Sequence, residues 1–230
     1  MKKIFIMILV LCCFSQLVAC SSVGQLNALK DRILAEDLQP SVNIERKLLI
    51  DDSGCKIYVP WVTEEQYIHI NEKIEAYIID FIFETLGDDW SDDNFLEIDY
   101  TITYNRNGIL SFYFTRMSFQ YLRPHQGIMG VNIDLLYGNF ISITSLIDID
   151  ENFLENLFLY QKDEFDREKY VMAYLMDIYG EELILENIRS GIHSFYFSQD
   201  YIYISFALPQ ALGFHLEMGI SWEQTVVPAA

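Results

Sequence analysis

Polar and apolar positions follow two rhythms along this chain, and the places where one gives way to the other mark its elements. From Val42 to Val62 the apolar residues fall at strand spacing on either side of Asp51-Asp52-Ser53-Gly54, which predicts a hairpin. Ile70, Ile74, Tyr77, Ile78, Phe81 and Ile82 then recur at helical spacing and predict a helix with one buried stripe. Thr63 and Gln66 stand at capping-box spacing ahead of it, Glu64 and Glu65 suit its positive N-terminal end, and Gly87 closes it. Alternation returns over Phe95 to Tyr104 and Ile109 to Tyr121, joined by Asn105-Arg106-Asn107-Gly108. Asn-Gly supplies the positive φ angles of a tight hairpin turn. Ser111, Tyr113 and Thr115 alternate with Phe112 and Phe114, as in a sheet with one covered and one wetter face.

Leu122 to Gly130 contains Pro124, Gly127 and Gly130 and is expected to be a loop. Val131 to Leu136 reads as a strand, turned back by Tyr137-Gly138-Asn139 into Phe140 to Ile143. Beyond this the period lengthens. One helix starts at Asp150 and runs through Phe153, Leu154 and Leu157; another starts at Asp166 and runs through Val171, Tyr174, Leu175 and Ile178. Gly180 breaks it before Glu181 to Ile188. Strand pattern closes the chain at Ser194 to Phe197, Tyr201 to Ala207 and Phe214 to Trp222, with a turn at Gln199-Asp200. Strands and helices are segregated, which predicts an α+β fold with largely antiparallel sheets packed against helices.

The first residues follow different rules. Lys2 and Lys3 precede an apolar run from Ile4 to Val18, the layout of a secretory signal peptide. Leu17-Val18-Ala19-Cys20 resembles the lipobox of bacterial lipoproteins, which implies cleavage before Cys20 and lipidation of its side chain. The expected division is a leader over residues 1–19, a lipidated cysteine and tether over 20–41, an N-terminal part over 42–122, a C-terminal part over 123–223 and a tail over 224–230. Ser21, Ser22 and Gly24 read as a spacer, and Leu26, Leu29, Ile33 and Leu34 fit one helical face before Pro40. The protein is thus expected to be exported and anchored by acyl chains to the cell membrane or outer membrane; Ser21 is compatible with the latter.

The charge sharpens this picture. The chain carries 34 acidic residues against 15 Lys and Arg, a formal net charge of −19, and loss of Lys2 and Lys3 with the leader makes the remainder two units more negative. Nucleic acid is excluded as a partner, because phosphate binding needs clustered cations. Anionic headgroups are repelled, which leaves the acyl chains as the membrane attachment. The same field speeds encounter with a cationic partner, or simply keeps a surface protein soluble. Cys12 and Cys13 leave with the leader and Cys20 is spoken for, so Cys55 remains as the one thiol and the core holds without a disulfide.

Asn132-Ile133-Asp134-Leu135, Gly138 and Ile141-Ser142-Ile143 with Leu146 resemble the extracellular domain shared by the anti-sigma factor RsiV and the peptidoglycan deacetylase PdaC. This is a DUF3298-type C-terminal part with a DUF4163-type N-terminal part. Tyr100 to Tyr104 with Gly108 to Ser111 is similar to the segment joining its halves, and Phe197 to Asp200, Ile204 to Phe206 and Gly213-Phe214 to its closing strands. The family often carries Gly-Gly-Ala-His-Gly before the Asp strand; here Leu122-Arg123-Pro124-His125-Gln126-Gly127 matches it at His125. The resemblance implies a binding role, since in RsiV this domain recognises lysozyme, a basic protein. Expected here is a non-catalytic envelope protein that binds lysozyme, another cationic protein or a wall component. Its expected contact surface is the segment from Tyr121 to Met129 with adjoining strand ends, represented by Tyr121, Arg123, His125, Gln126 and Asp134.

The rival class is an enzyme acting on peptidoglycan or another glycan. His69, His125, His193 and His215 include no pair at metal-binding helical spacing, and His-Glu-x-x-His, Gly-x-Ser-x-Gly and a glycine-rich phosphate loop do not occur. No metal, cofactor or catalytic residue is therefore expected. Two openings for chemistry remain: carboxylate pairs, and His125 acting with Asp134 as acid and base. Asp88, Asp89, Asp92 and Asp93 surround Trp90, which reads as a solvated turn or a weak calcium or sugar site without EF-hand spacing.

Overall fold

The computed structural model describes residues 28–29, 31–35, 40–52, 54–86, 95–120, 123–160 and 166–225. A helical turn at residues 31–34 (α1) leads to strands β1 (Ile44–Asp52) and β2 (Cys55–Val62), helix α2 (Ile68–Leu86), and strands β3 (Phe95–Arg106), β4 (Ile109–Gln120), β5 (Arg123–Asp134) and β6 (Asn139–Phe140). Helices α3 (Glu151–Tyr160) and α4 (Asp166–Ser190) follow, then β7 (Ser194–Phe197), β8 (Tyr201–Ala207), β9 (His215–Ser221) and a last turn α5 (Trp222–Thr225). Strands β1 to β6 form one six-stranded sheet in chain order, and β7 to β9 a second of three. All pairings are antiparallel except β2 with β3, which α2 bridges as a crossover. The expected α+β class is what the chain adopts, and the larger sheet runs unbroken across the expected division after residue 122.

Two apolar clusters hold this arrangement. Ile70, Ile74 and Ile78 of α2 lie on Ile57, Val59, Leu96, Ile98, Phe112 and Phe114 of the large sheet, all at most 1% exposed. Each such side chain removed from water contributes about 1.5–3 kcal/mol before entropy is charged against it. The second cluster joins α3 and α4 through Leu157, Leu175, Ile184 and Ile188 to Phe197, Ile204, Phe206, Met218 and Ile220 of the small sheet. Buried Asn71 on α2 fixes the first layer: it accepts from the Val62 amide and donates to the Val62 carbonyl, both at 2.8 Å.

Several local expectations are met. Asn107 (φ 53°) and Gly108 (φ 72°) form the tight turn between β3 and β4, and Asp150 caps α3 through the Phe153 amide at 2.8 Å. Gly180 interrupts α4 at φ 71°, ψ 163°. Ile33 is buried in the second cluster, so α1 docks on the domain.

Others are corrected. Thr63 and Gln66 form no capping box: α2 is entered through a 3-10 turn at Glu65–Tyr67 whose cap residue, Glu64, makes no side-chain cap bond. The Glu64 carboxylate instead accepts from the backbone and side chain of Asn43, each at 2.9 Å, closing the end of the first hairpin. The expected loop from Leu122 to Gly130 is mostly strand. Pro124 lies opposite Phe119 on a stretch of β5 whose other edge β6 does not reach, which tolerates proline, and Gly130 is required by a backbone crossing. A Cβ there would lie 1.9 Å from the Phe195 carbonyl oxygen of β7.

Candidate functional site

The residues expected to form a contact surface do not form one site. His125 and Gln126 are exposed near the start of β5, opposite Ser118 and Met117 of β4. Arg123 opens β5 opposite Gln120, while its side chain, like the whole of Tyr121, lies outside the described residues. So do Cys20 and the cluster of Asp88, Asp89, Asp92 and Asp93 around Trp90. Asp134 sits at the far end of β5, nine positions from His125, or about 30 Å at the rise of an extended strand. An acid–base pair of His125 with Asp134 is therefore ruled out by the strand that carries both.

Asp134 has a structural task. Its carboxylate takes both ends of the Arg32 guanidinium, at 2.9 and 3.1 Å, and the Leu136 amide at 3.0 Å. Arg32 also donates to the carbonyls of Asn107 and Gly108 at 2.8 and 2.7 Å, clasping α1 to the β3–β4 turn. Asn132, two positions earlier, accepts from the Ser111 hydroxyl at 2.7 Å and donates to the Phe195 carbonyl at 2.9 Å. Ser111 in turn accepts from the Phe197 amide at 3.0 Å. The Asn-Ile-Asp-Leu stretch is thus a pair of buried ties alternating with core residues Ile133 and Leu135. Cys55 is also unsuited to chemistry, because burial, then nearby Asp52, pushes its thiol up and away from the reactive thiolate.

The structure gathers polar groups in two other places. The first is a pair of adjoining grooves of about 490 and 470 Å³ between α3 and α4, bordered by Asp150, Glu151, Glu155, Glu181 and Glu182. These carboxylates are exposed and form no ion pair among the described residues. Arg189 on the same rim is engaged by the Ile149 carbonyl at 2.8 Å. Asp150, held by the Phe153 amide, stays below the usual carboxylate range.

The second is a cleft of about 370 Å³ over β5, between α2 and the small sheet. Tyr77, Phe81, Met129, Ile192 and Phe214 give it a mainly apolar wall, with Arg116 and His215 as its basic groups. The Arg116 Nε and the His215 Nδ1 are buried without a hydrogen-bond partner. On the neighbouring strand face Glu217 accepts from the Tyr196 hydroxyl and lies 4.0 Å from His215 Nε2. No group of three or more metal-ligating side chains occurs among the described residues.

Neither place was singled out by motif. The signal that does point to the cleft is a gap: residues 100–133 contain Arg106, Arg116, Arg123 and His125 but no Asp or Glu, in a chain with 34 acids. Strands β4 and β5 build this acid-free strip into the sheet, and the cleft opens on it.

No protein-family model matches the chain, and no curated protein matches it. Among solved structures, a DUF3298 family protein from Pseudomonas aeruginosa PAO1 is similar with a TM-score of 0.50 at 11% identity, over 83% of this chain and 94% of that one. A member of the same family from Bacteroides fragilis gives a TM-score of 0.48 at 11% identity, over 80% and 93%. At that identity the likeness is one of fold, and it spans nearly the whole of the Pseudomonas protein: this chain folds as a DUF3298 family protein does.

Proposed function

We propose that this protein is a lipid-anchored binding module of the bacterial cell envelope, of the DUF3298 type, that captures a cationic protein such as lysozyme without chemistry of its own. Cys20 carries the anchor in this reading. The observation that supports capture is the carboxylate-rimmed pair of grooves between α3 and α4, with five acidic side chains and apolar Phe158 and Met176 beside them. Charge of one sign around a concave surface steers an oppositely charged partner and sets an on-rate that falls with salt. This moves the cationic contact away from β5, because β4 and β5 carry arginine and no acid over residues 109–133. The catalytic alternative loses its named pair with the separation of His125 from Asp134 along β5.

The test is calorimetric titration of the mature protein with hen egg-white lysozyme at low and at raised ionic strength. Binding that weakens steeply with salt is expected, and a Glu181→Lys, Glu182→Lys double variant should weaken it at low salt by about tenfold or more. Absence of binding at low ionic strength removes lysozyme as the partner. Binding that the double variant leaves unchanged removes the grooves as its site.

A further inference from the structure

The four other arginines whose side chains are described are all engaged. Arg32 and Arg46 each meet an aspartate, Arg106 donates to Gln199 at 2.9 Å, and Arg189 donates to the Ile149 carbonyl. Arg116 stands apart. Its Nε is fully enclosed without a hydrogen-bond partner, no ion pair reaches it among the described residues, and the ring centre of Phe81 lies 5.8 Å away. Burial is the one cause acting on it, and it pulls the guanidinium below the ordinary arginine value. A half-buried cation without a counter-ion costs stability. In a chain with this excess of acid, any of many substitutions nearby could have supplied one.

The surroundings are those of a ligand pocket. The guanidinium lies alongside Gly127, where a Cβ would be 3.8 Å from Nη2, so the floor beneath it is bare backbone. Apolar side chains from α2, β5 and the loops leading into β7 and β9 line it, with Ile192 at the open rim and His215 Nδ1 as a second polar atom awaiting a partner. Mostly apolar walls with a few convergent polar groups are how small-molecule sites are built.

We infer that this cleft binds a small monocarboxylate with an apolar body, the carboxylate seated on Arg116 and the body against Phe81, Met129, Ile192 and Phe214. A planar carboxylate matches the two-pronged donor set of arginine. A single cation in a strongly negative chain favours a monoanion over a phosphate dianion, which the overall field opposes. The site shares no residue with the acidic grooves and stands whether or not they bind a protein.

Phenylbutyrate and its uncharged isostere phenylbutyramide, titrated into the full mature protein by calorimetry with ligand-observed NMR, test the inference. The carboxylate should bind at least about tenfold tighter than the amide. Arg116→Met should erase that preference while melting no lower than wild type, since it removes a buried charge that no described residue compensates. Gly127→Val, which keeps Arg116 and crowds its open side, should weaken the carboxylate without unfolding the protein. No binding of phenylbutyrate, equal binding of both probes, or a preference that survives Arg116→Met overturns the assignment. A drop in melting temperature for Arg116→Met would instead make the arginine a structural residue and equally overturn it.

Discussion

His193 is the buried ionisable group whose removal should change how stability depends on pH. It is 5% exposed at the start of β7, its ring centre lies 4.7 Å from that of Phe206, and neither ring nitrogen has a hydrogen-bond partner. Burial lowers its pKa from 6.5 to about 4. An unfolded chain therefore takes up the proton as the pH drops through 6.5, while the folded chain refuses it until about 4. The stability tied to the neutral ring is fully present above pH 6.5 and is lost on acidification through that window, at up to about 1.4 kcal/mol per pH unit. Over the full window this amounts to about 3 kcal/mol, and to about 2 kcal/mol between pH 6.5 and 5, clear of the precipitation expected near a pI of 4.4. Urea unfolding of wild type and His193→Leu at closely spaced pH values isolates the term, because every other titrating group is common to both. The variant should be at least as stable at neutral pH, having lost two unsatisfied nitrogens, and its stability should fall less steeply with acid. Parallel curves for the two proteins would refute the reasoning.

Asp134→Asn, which keeps shape and discards charge, should cost about 2–3 kcal/mol in urea unfolding and speed proteolysis around residue 35, since it releases the Arg32 clasp; unchanged stability and cleavage would contradict that role. Gly130→Ala should lose about 3 kcal/mol or fail to accumulate, because its Cβ meets the Phe195 carbonyl at 1.9 Å. Gly127→Ala, whose nearest contact would be 3.8 Å away, should melt within a degree or two of wild type and serves as its control. Cys20→Ala should abolish metabolic labelling with palmitate and free the protein from the membrane fraction; retained labelling would remove the anchor.

The parts of the fold legible in the sequence are those where one physical signal acts alone. The stripe Ile70, Ile74, Ile78 has one apolar face to bury, and Asn107-Gly108 has one inexpensive turn to make, so both appear as expected. Gly180 likewise ends a helical run because no other residue takes its conformation at low cost. Between Leu122 and Gly130 two meanings of glycine and proline compete. There they do not mark a loop: Pro124 sits where β6 leaves the edge of β5 unpaired, and Gly130 makes room for the backbone of β7, more than 60 residues later. At the start of α2 the expected Thr63–Gln66 box gives way to a 3-10 turn, and Glu64 beside it is held by Asn43, which no local window contains together with it. Asp134 looked chemical because it is a carboxylate near a histidine in sequence; only the straightness of β5 separates them. The Arg116 cleft assembles residues from seven elements, and of these only the absence of acids across β4 and β5 is visible in one dimension.

The Arg32 clasp also sets a standoff height. If Cys20 holds the bilayer, the chain between it and Arg32 can reach at most about 40 Å even when taut, so the folded body is confined to a shallow layer above the lipid and meets partners by sweeping that layer. Any pull along this short leash arrives first at the β3–β4 turn, through Asp134, Asn107 and Gly108. Force from such an anchor would be delivered to the middle of the larger sheet and spare its outermost strands.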